Sequence, residues 1–232
     1  VPVNWSTSKR HMGRVVLAGT GNIPSRLMMI TSSVLEEDTS EELLGRRQGV
    51  ALRTRPEFLK GPHGIALKDL CLSVGISISA DVYFTALCKW LLPKSDNLSP
   101  KPKHTLPGHA CLDREIRAVA PSVIVTFGKP AFEFAVKSRV KFADAIGMTF
   151  WSEEYQCSVI PMQHYYYVLA KPELTERFYL DLVQASMLVA ESEGKTVARV
   201  PTHYSVIRSK DELTHWTAQR LLDNTKLLSV DC

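Results

Sequence analysis

The sequence predicts an α/β fold, a three-layer α/β/α sandwich around a four-stranded, mostly parallel sheet. Three observations carry this. Short apolar runs of strand length recur at Leu27–Ile30, Asp81–Leu87, Ser122–Thr126 and Val159–Met162. Segments with helical spacing of apolar residues lie between them. Strands alternating with helices form a parallel sheet covered on both faces.

In order, Val1–Gly13 is polar and irregular, and Arg14–Gly21 (RVVLAGTG) is an apolar segment ended by glycines, read as an edge strand or a turn. Leu27–Ile30 is the first core strand. It breaks into Thr31-Ser32-Ser33 and then the acidic cluster Glu36-Glu37-Asp38. Ligands of open α/β sheets sit beyond the carboxyl ends of the strands, so this loop is the natural floor of a site. Thr39–Gly61 is a long charged loop holding Arg46, Arg47, Arg53, Arg55 and Lys60. Ile65–Val74 has helical spacing and stops at Gly75.

After the second strand, Lys89–His109 reads as a loop with four prolines and with Lys89, Lys94, Lys101 and Lys103. Pro107–Val119 is predicted as a helix with proline at its start. Gly128 turns into a helix over about 130–136, and Leu174–Ala190 is a long amphipathic helix. Glu191–Pro201 carries no packing pattern, and residues 191–202 read as a linker. A strand–helix–strand pattern then restarts over 203–232, with strands at Tyr204–Ile207 and Leu227–Val230 and a helix over Asp211–Leu222.

The chain has 232 residues, 45% hydrophobic and 22% charged, with a net charge of +4. That is ordinary globular composition, mildly basic and compatible with a polyanionic partner. The five cysteines form no CxxC pair. Their odd number and scatter argue against a disulfide framework and for a reducing, intracellular setting. No apolar run reaches membrane-spanning length and no signal peptide is seen, so no membrane partner is expected. The missing initiator Met and the stop at Cys232 are read as marks of a piece of a longer polypeptide.

Four stretches in order resemble the uracil-DNA glycosylase superfamily, closest to its iron–sulfur branch, family four. They are Val15–Ile30, Asp81–Pro93 (DVYFTALCKWLLP), Arg114–Phe134 and Ile160–Leu174 (IPMQHYYYVLAKPEL). The resemblance covers roughly residues 14–190 and implies a glycosylase-like sandwich acting on DNA. Such chemistry extrudes a base into a pocket. It needs a polar group to activate water, a side-chain amide to read the base edge, and a donor for the charge on the departing base.

Carried over position by position, the resemblance implies a degenerate site. Ser32 stands where the family has a catalytic Glu, and a hydroxyl is no general base at neutral pH. Losing such a base costs ~10²–10⁴ in rate. Ala86 follows Thr85 where the family has its base-reading Asn. His164 matches the family histidine, but Tyr165 and Tyr166 replace the usual Pro and Ser. His164 could be a residual leaving-group donor or a structural histidine. Phe58 falls near the aromatic residue that stacks on the base. Of the cluster cysteines only Cys111 is matched, with Trp90 at another cysteine position and Cys88 two residues early. One thiolate does not hold a four-ligand cluster, so no iron–sulfur centre, and no other cofactor or metal, is expected in this fragment.

The stretch His203–Cys232 resembles the opening of the ribonuclease-H-like 3′–5′ exonuclease domain of family-A DNA polymerases. Asp231 matches a metal-binding carboxylate there, a role requiring the complete domain. Glycosylase-like and exonuclease domains in tandem are an arrangement of bacteriophage polymerases, which implies the cytoplasm of an infected bacterial host. The expected organisation is a glycosylase-like domain over 1–190, a linker over 191–202 and a truncated exonuclease-like domain over 203–232.

The leading expectation is a catalytically degenerate module that binds DNA, single-stranded or primer-template, or docks a replication protein. The contact set would be Arg46, Arg47, Arg53, Lys89, Lys94, Lys101, Lys103, Tyr165 and Tyr166, with Phe58 for base stacking. Each has a plainer reading: the lysines as a solvated loop, the tyrosines as packing, Glu36–Asp38 as an acidic turn. One alternative is an active glycosylase on uracil or a modified base, with Glu36 or Asp38 as base. Another is a structural spacer.

Overall fold

The computed structural model describes residues 18–34, 58–90, 92 and 100–195. All lie in the first of the two units into which the chain divides, Val1–Val197. The predicted strands form where apolar and β-branched residues are continuous: β1 (Leu27–Thr31), β2 (Val82–Ala86), β3 (Val123–Phe127) and β5 (Cys157–Met162). All residues of the first three are buried. Such uninterrupted burial is what a sheet covered on both faces demands, and it explains why these runs lack polar alternation.

The sheet has five strands rather than four, in the order β2-β1-β3-β5-β4. The β1–β2, β1–β3 and β3–β5 pairs are parallel. The additional strand, β4 (Phe150–Ser152), pairs antiparallel with β5. The connecting turn closes through the Gln156 N–H donating to the Ser152 carbonyl at 2.7 Å, with Gln156 at φ +52°. Three residues are too few to display an alternating pattern, so β4 leaves little mark in the sequence. The expected segment before β1 contributes one antiparallel bridge, Thr20 to Phe84; the part of it before residue 18 lies outside the described residues.

Two apolar layers flank the sheet. Helices α1 (Pro62–Ser73), α6 (Tyr165–Leu169) and α7 (Thr175–Ser192) bury Leu67, Cys71, Tyr165, Val168, Phe178, Leu182 and Ala185 against Leu27, Met29, Phe84, Val125 and Phe127. On the other face α3 (Pro102–Val119), α4 (Lys129–Ala135) and α5 (Phe142–Ala145) bury Leu112, Ile116, Val119, Phe132 and Ala145 against Met28, Ile30, Ile124 and Val159. A one-turn helix, α2 (Ile78–Asp81), leads directly into β2. Each large apolar side chain removed from water contributes roughly 1.5–3 kcal/mol, so the two layers hold the sandwich together. Among the described residues no helix is long and apolar enough to cross a membrane.

Two boundaries differ from the sequence expectation. The helix expected from Pro107 begins at Pro102, with Pro107 inside it. Pro102 takes the first-turn position where a missing N–H costs nothing, and Pro107 gives up one helical bond. The adjacent Gly108 lets the helix approach the sheet, because a Cβ there would run into the Leu87 carbonyl. At the carboxyl end, α7 continues to Ser192, two residues into the expected linker. The linker beyond 195 and the expected elements of 203–232, including Asp231, lie outside the described residues.

Candidate nucleic-acid site at the strand ends

The four parallel strands finish level with one another. Thr31 is in register with Ala86 on one side and Phe127 on the other, and Phe127 with Met162. The chain order reverses between β1 and β3, since β1 is succeeded by β2 on one side and β3 by β5 on the other. That reversal makes a crevice outside the carboxyl ends, where sheets of this kind bind ligands. Ser32, Gly128 and His164 occupy it.

Ser32 is 2% exposed. Its hydroxyl donates to the Phe127 carbonyl at 2.9 Å and accepts the Ala131 N–H at 3.3 Å. Ala131 is the third residue of α4, whose own N-cap, Gly128, has no side chain to offer. Ser32 therefore caps α4 from the neighbouring strand, satisfying an amide that the helix leaves orphaned. Gly128 has φ +90°, and a Cβ on it would lie 2.9 Å from the Ser32 Oγ.

His164 caps α6. Its Nδ1 accepts the Tyr166 backbone N–H at 3.3 Å, and its Nε2 lies 2.9 Å from the Thr31 Oγ1. An amide can only donate, so Nδ1 carries no proton and the neutral ring holds its proton on Nε2. That proton points to the Thr31 oxygen, whose own hydroxyl donates to the Ser33 carbonyl at 2.9 Å. The ring stacks on Tyr165 at 4.6 Å between centroids. Burial pushes the His164 pKa down to about 4, with nearby His63 adding to the effect and the Ser33 carbonyl opposing it. At neutral pH the residue is an uncharged link between α6 and the end of β1.

Ala86 is fully buried, its methyl packed in the layer that contains Phe58 and Phe84. Phe58 is 5% exposed and sits 5.7 Å from the Phe84 ring, so it is a core residue and not an open stacking surface.

Two expected DNA contacts are corrected. Lys89 is 2% exposed, and its ammonium lies 2.5 Å from Glu115 Oε2 and 2.6 Å from Thr85 Oγ1. The Thr85 hydroxyl completes the triangle by donating to Glu115 at 2.7 Å. Burial lowers the Lys89 pKa and the Glu115 charge opposes that shift. The ion pair ties the exit of β2 to α3 and turns inward, away from any phosphate. Tyr165 is fully buried, edge-on to Phe127 at 5.6 Å. Tyr166 is half-buried and lies 4.2 Å from the His63 ring, while Tyr167 is exposed.

Lys101 and Lys103 are exposed at the start of α3. Lys60 is exposed just before α1 and Lys129 at the start of α4. None of these three helices has an acidic residue in its first turn. Lysine beside the positive end of a helix dipole works against stability, and Lys129 is offset by Glu133 at 3.6 Å. Arg46, Arg47, Arg53 and Lys94 lie outside the described residues, as do Glu36, Glu37 and Asp38.

Glu115 and His63 were not singled out from the sequence, and Thr31 and Thr85 were marked there only by position, without their partners. Glu115 left a signal, since it shares the apolar helical stripe of Leu112, Ile116 and Val119. A carboxylate on such a stripe needs a buried cation. Among the described residues no group of three or more His, Cys, Asp or Glu side chains is placed to hold a metal. Burial raises the Cys111 pKa, and the nearby Lys89 ammonium opposes that shift.

A mostly parallel sheet with loops at its strand ends, a crevice at the topological reversal and a histidine beside it make an α/β sandwich of ligand-binding type. Residues 19–185 match the Uracil DNA glycosylase superfamily, and the chain belongs to that superfamily. It is also similar to a protein described as a DNA polymerase from Bacillus phage SP01, at 29% identity over 153 residues. That match takes in 63% of this chain and 15% of the polymerase, so the chain corresponds to a small part of that relative's length.

Proposed function

We propose that the chain is a catalytically degenerate glycosylase-like module of a phage-type DNA polymerase, binding DNA or a replication partner during DNA replication. The observation that carries this reading is the state of the three strand-end positions Ser32, His164 and Ala86. The Ser32 hydroxyl is used to cap α4, both His164 nitrogens are engaged, and Ala86 presents only a methyl group. None of the three supplies a general base or reads a base edge. The lysine-bearing helix starts at the same edge support a role in holding the phosphate backbone, where each neutralised phosphate adds affinity that salt removes. The likeness to a phage DNA polymerase and the resemblance of His203–Cys232 to an exonuclease opening support the replicative setting.

The test has two arms. Oligonucleotides containing uracil, hydroxymethyluracil or xanthine are incubated with the protein and then treated with alkali; strand cleavage at any of them overturns the degenerate assignment. Affinity for undamaged oligonucleotides is measured from low to physiological salt, with Lys101→Glu/Lys103→Glu beside the parent. The parent is expected to bind without uracil, with affinity falling steeply as salt rises. The double variant should bind more weakly with a shallower salt slope, by about 0.7 on single strands for each phosphate that is no longer neutralised.

A further inference from the structure

The three consecutive tyrosines have three different environments, and the difference points to a division of labour. Tyr165 is fully buried and Tyr166 is half-buried against His63. Tyr167 keeps 42% of its surface exposed. The short helix α6 explains this pattern. His164, Tyr165 and Val168 face the core, so the residue between them in the turn faces outward. Tyr167 is thus held at the surface on the turn that follows β5, with Tyr165 and Val168 buried beneath it. The Tyr167 N–H donating to the His164 carbonyl at 2.9 Å fixes its backbone. A Lys171 ammonium lies over the ring at 4.6 Å from its centroid.

We propose that Tyr167 is a stacking platform for an unpaired base of single-stranded DNA, with Lys171 placed to meet the adjoining phosphate. The inference rests on the DNA-binding reading above and adds the form of nucleic acid and the contact that selects it. Lys171 covers one face of the ring, so a base would meet the opposite face, a contact made without regard to sequence, while the cation follows the backbone. In a duplex the base faces are covered by their neighbours, so the platform favours unpaired strands. The backbone beneath the ring is fixed by the His164 cap and the buried Tyr165 and Val168, so little backbone ordering is required when a base settles on it.

The experiment measures the binding of the full chain to a fluorescein-labelled oligothymidylate and to a duplex of equal length, by anisotropy at several salt concentrations. Tyr167→Ala is expected to weaken oligothymidylate binding by ~10-fold with an unchanged salt slope. Tyr167→Phe retains the parent affinity because it keeps the ring. Lys171→Gln weakens binding and lowers the slope, as removal of a phosphate-neutralising cation does. Oligothymidylate affinity unchanged in Tyr167→Ala, while Lys101→Glu/Lys103→Glu still weakens it, overturns the platform and leaves the module's DNA binding intact. An equal loss in Tyr167→Phe and Tyr167→Ala also overturns it, since the ring is then not what the base meets. Failure of the parent to bind either nucleic acid overturns both this inference and the reading beneath it.

Discussion

The His164 Nε2 lies 2.9 Å from the Thr31 hydroxyl oxygen, joining the first turn after β5 to the last residue of β1. With Nδ1 accepting an amide proton, the ring is neutral and both nitrogens are in use. A histidine in this state is a structural connector whose protonation would break the arrangement, because a second ring proton on Nδ1 would face the Tyr166 N–H.

The connector makes stability depend on pH in a defined window. The folded pKa of His164 is pushed down to about 4 from an ordinary value of 6.5. Between those values the unfolded chain binds the proton and the folded chain does not, so stability is fully present above pH 6.5 and falls as the pH drops toward 4. The total loss is on the order of 3 kcal/mol. Urea unfolding at pH 7.0 and pH 5.0 should show this fall in the parent and a smaller one in His164→Gln. Equal pH dependence in the two proteins would show that His164 is not the group responsible.

The Lys89–Glu115 pair should behave as a buried ion pair. Lys89→Met leaves the Glu115 carboxylate buried opposite Thr85 without its cation. That should cost about 3–5 kcal/mol, while the double change Lys89→Met/Glu115→Leu should recover most of it. Denaturant midpoints of the single and double variants decide the matter, and equal midpoints would argue against coupling. As a surface DNA contact, Lys89 would instead lose affinity on substitution with little change in stability.

Ser32 and Gly128 form a second coupled pair. Ser32→Ala removes the cap on α4 and should cost about 1 kcal/mol, within the range for the removal of helix caps. Gly128→Ala places a Cβ 2.9 Å from the Ser32 hydroxyl at φ +90°. It should cost more, about 1–3 kcal/mol, from backbone strain as well as crowding. In the double variant the crowding is relieved and the strain stays, so the combined cost should be less than the sum. Thermal or urea unfolding of the three variants reads this directly, and strict additivity would refute the coupling.

Much of the fold was legible because burial on both faces of a parallel sheet forces continuous apolar runs, and Leu27–Ile30, Asp81–Leu87, Ser122–Thr126 and Val159–Met162 are such runs. The fifth strand was not, since Phe150–Ser152 is defined by its partner across a turn and not by a pattern of its own. The lysines of Lys89–Lys103 looked alike in sequence. Lys101 and Lys103 remain at the surface, and Lys89 folds inward because Glu115 on a distant helix supplies its counter-charge. The tyrosine run was equally uniform in sequence. The pitch of one helical turn separates a buried, a half-buried and an exposed ring.

Taken alone, the residues are enough to specify an α/β sandwich and to put Ser32, Ala86 and His164 at strand ends. They also show that serine and alanine there cannot supply a general base or a base reader. The strand ends follow from periodicity, and the meaning of serine and alanine there follows from the resemblance to the glycosylase superfamily. The folded chain settles what those residues do instead: Ser32 caps a helix through the Ala131 amide, 99 residues further along, and His164 locks onto Thr31. Hydrogen bonds between segments so far apart are set by strand register and helix placement, which local sequence does not encode. Side-chain chemistry is local, whereas the partner that uses it is chosen by the fold.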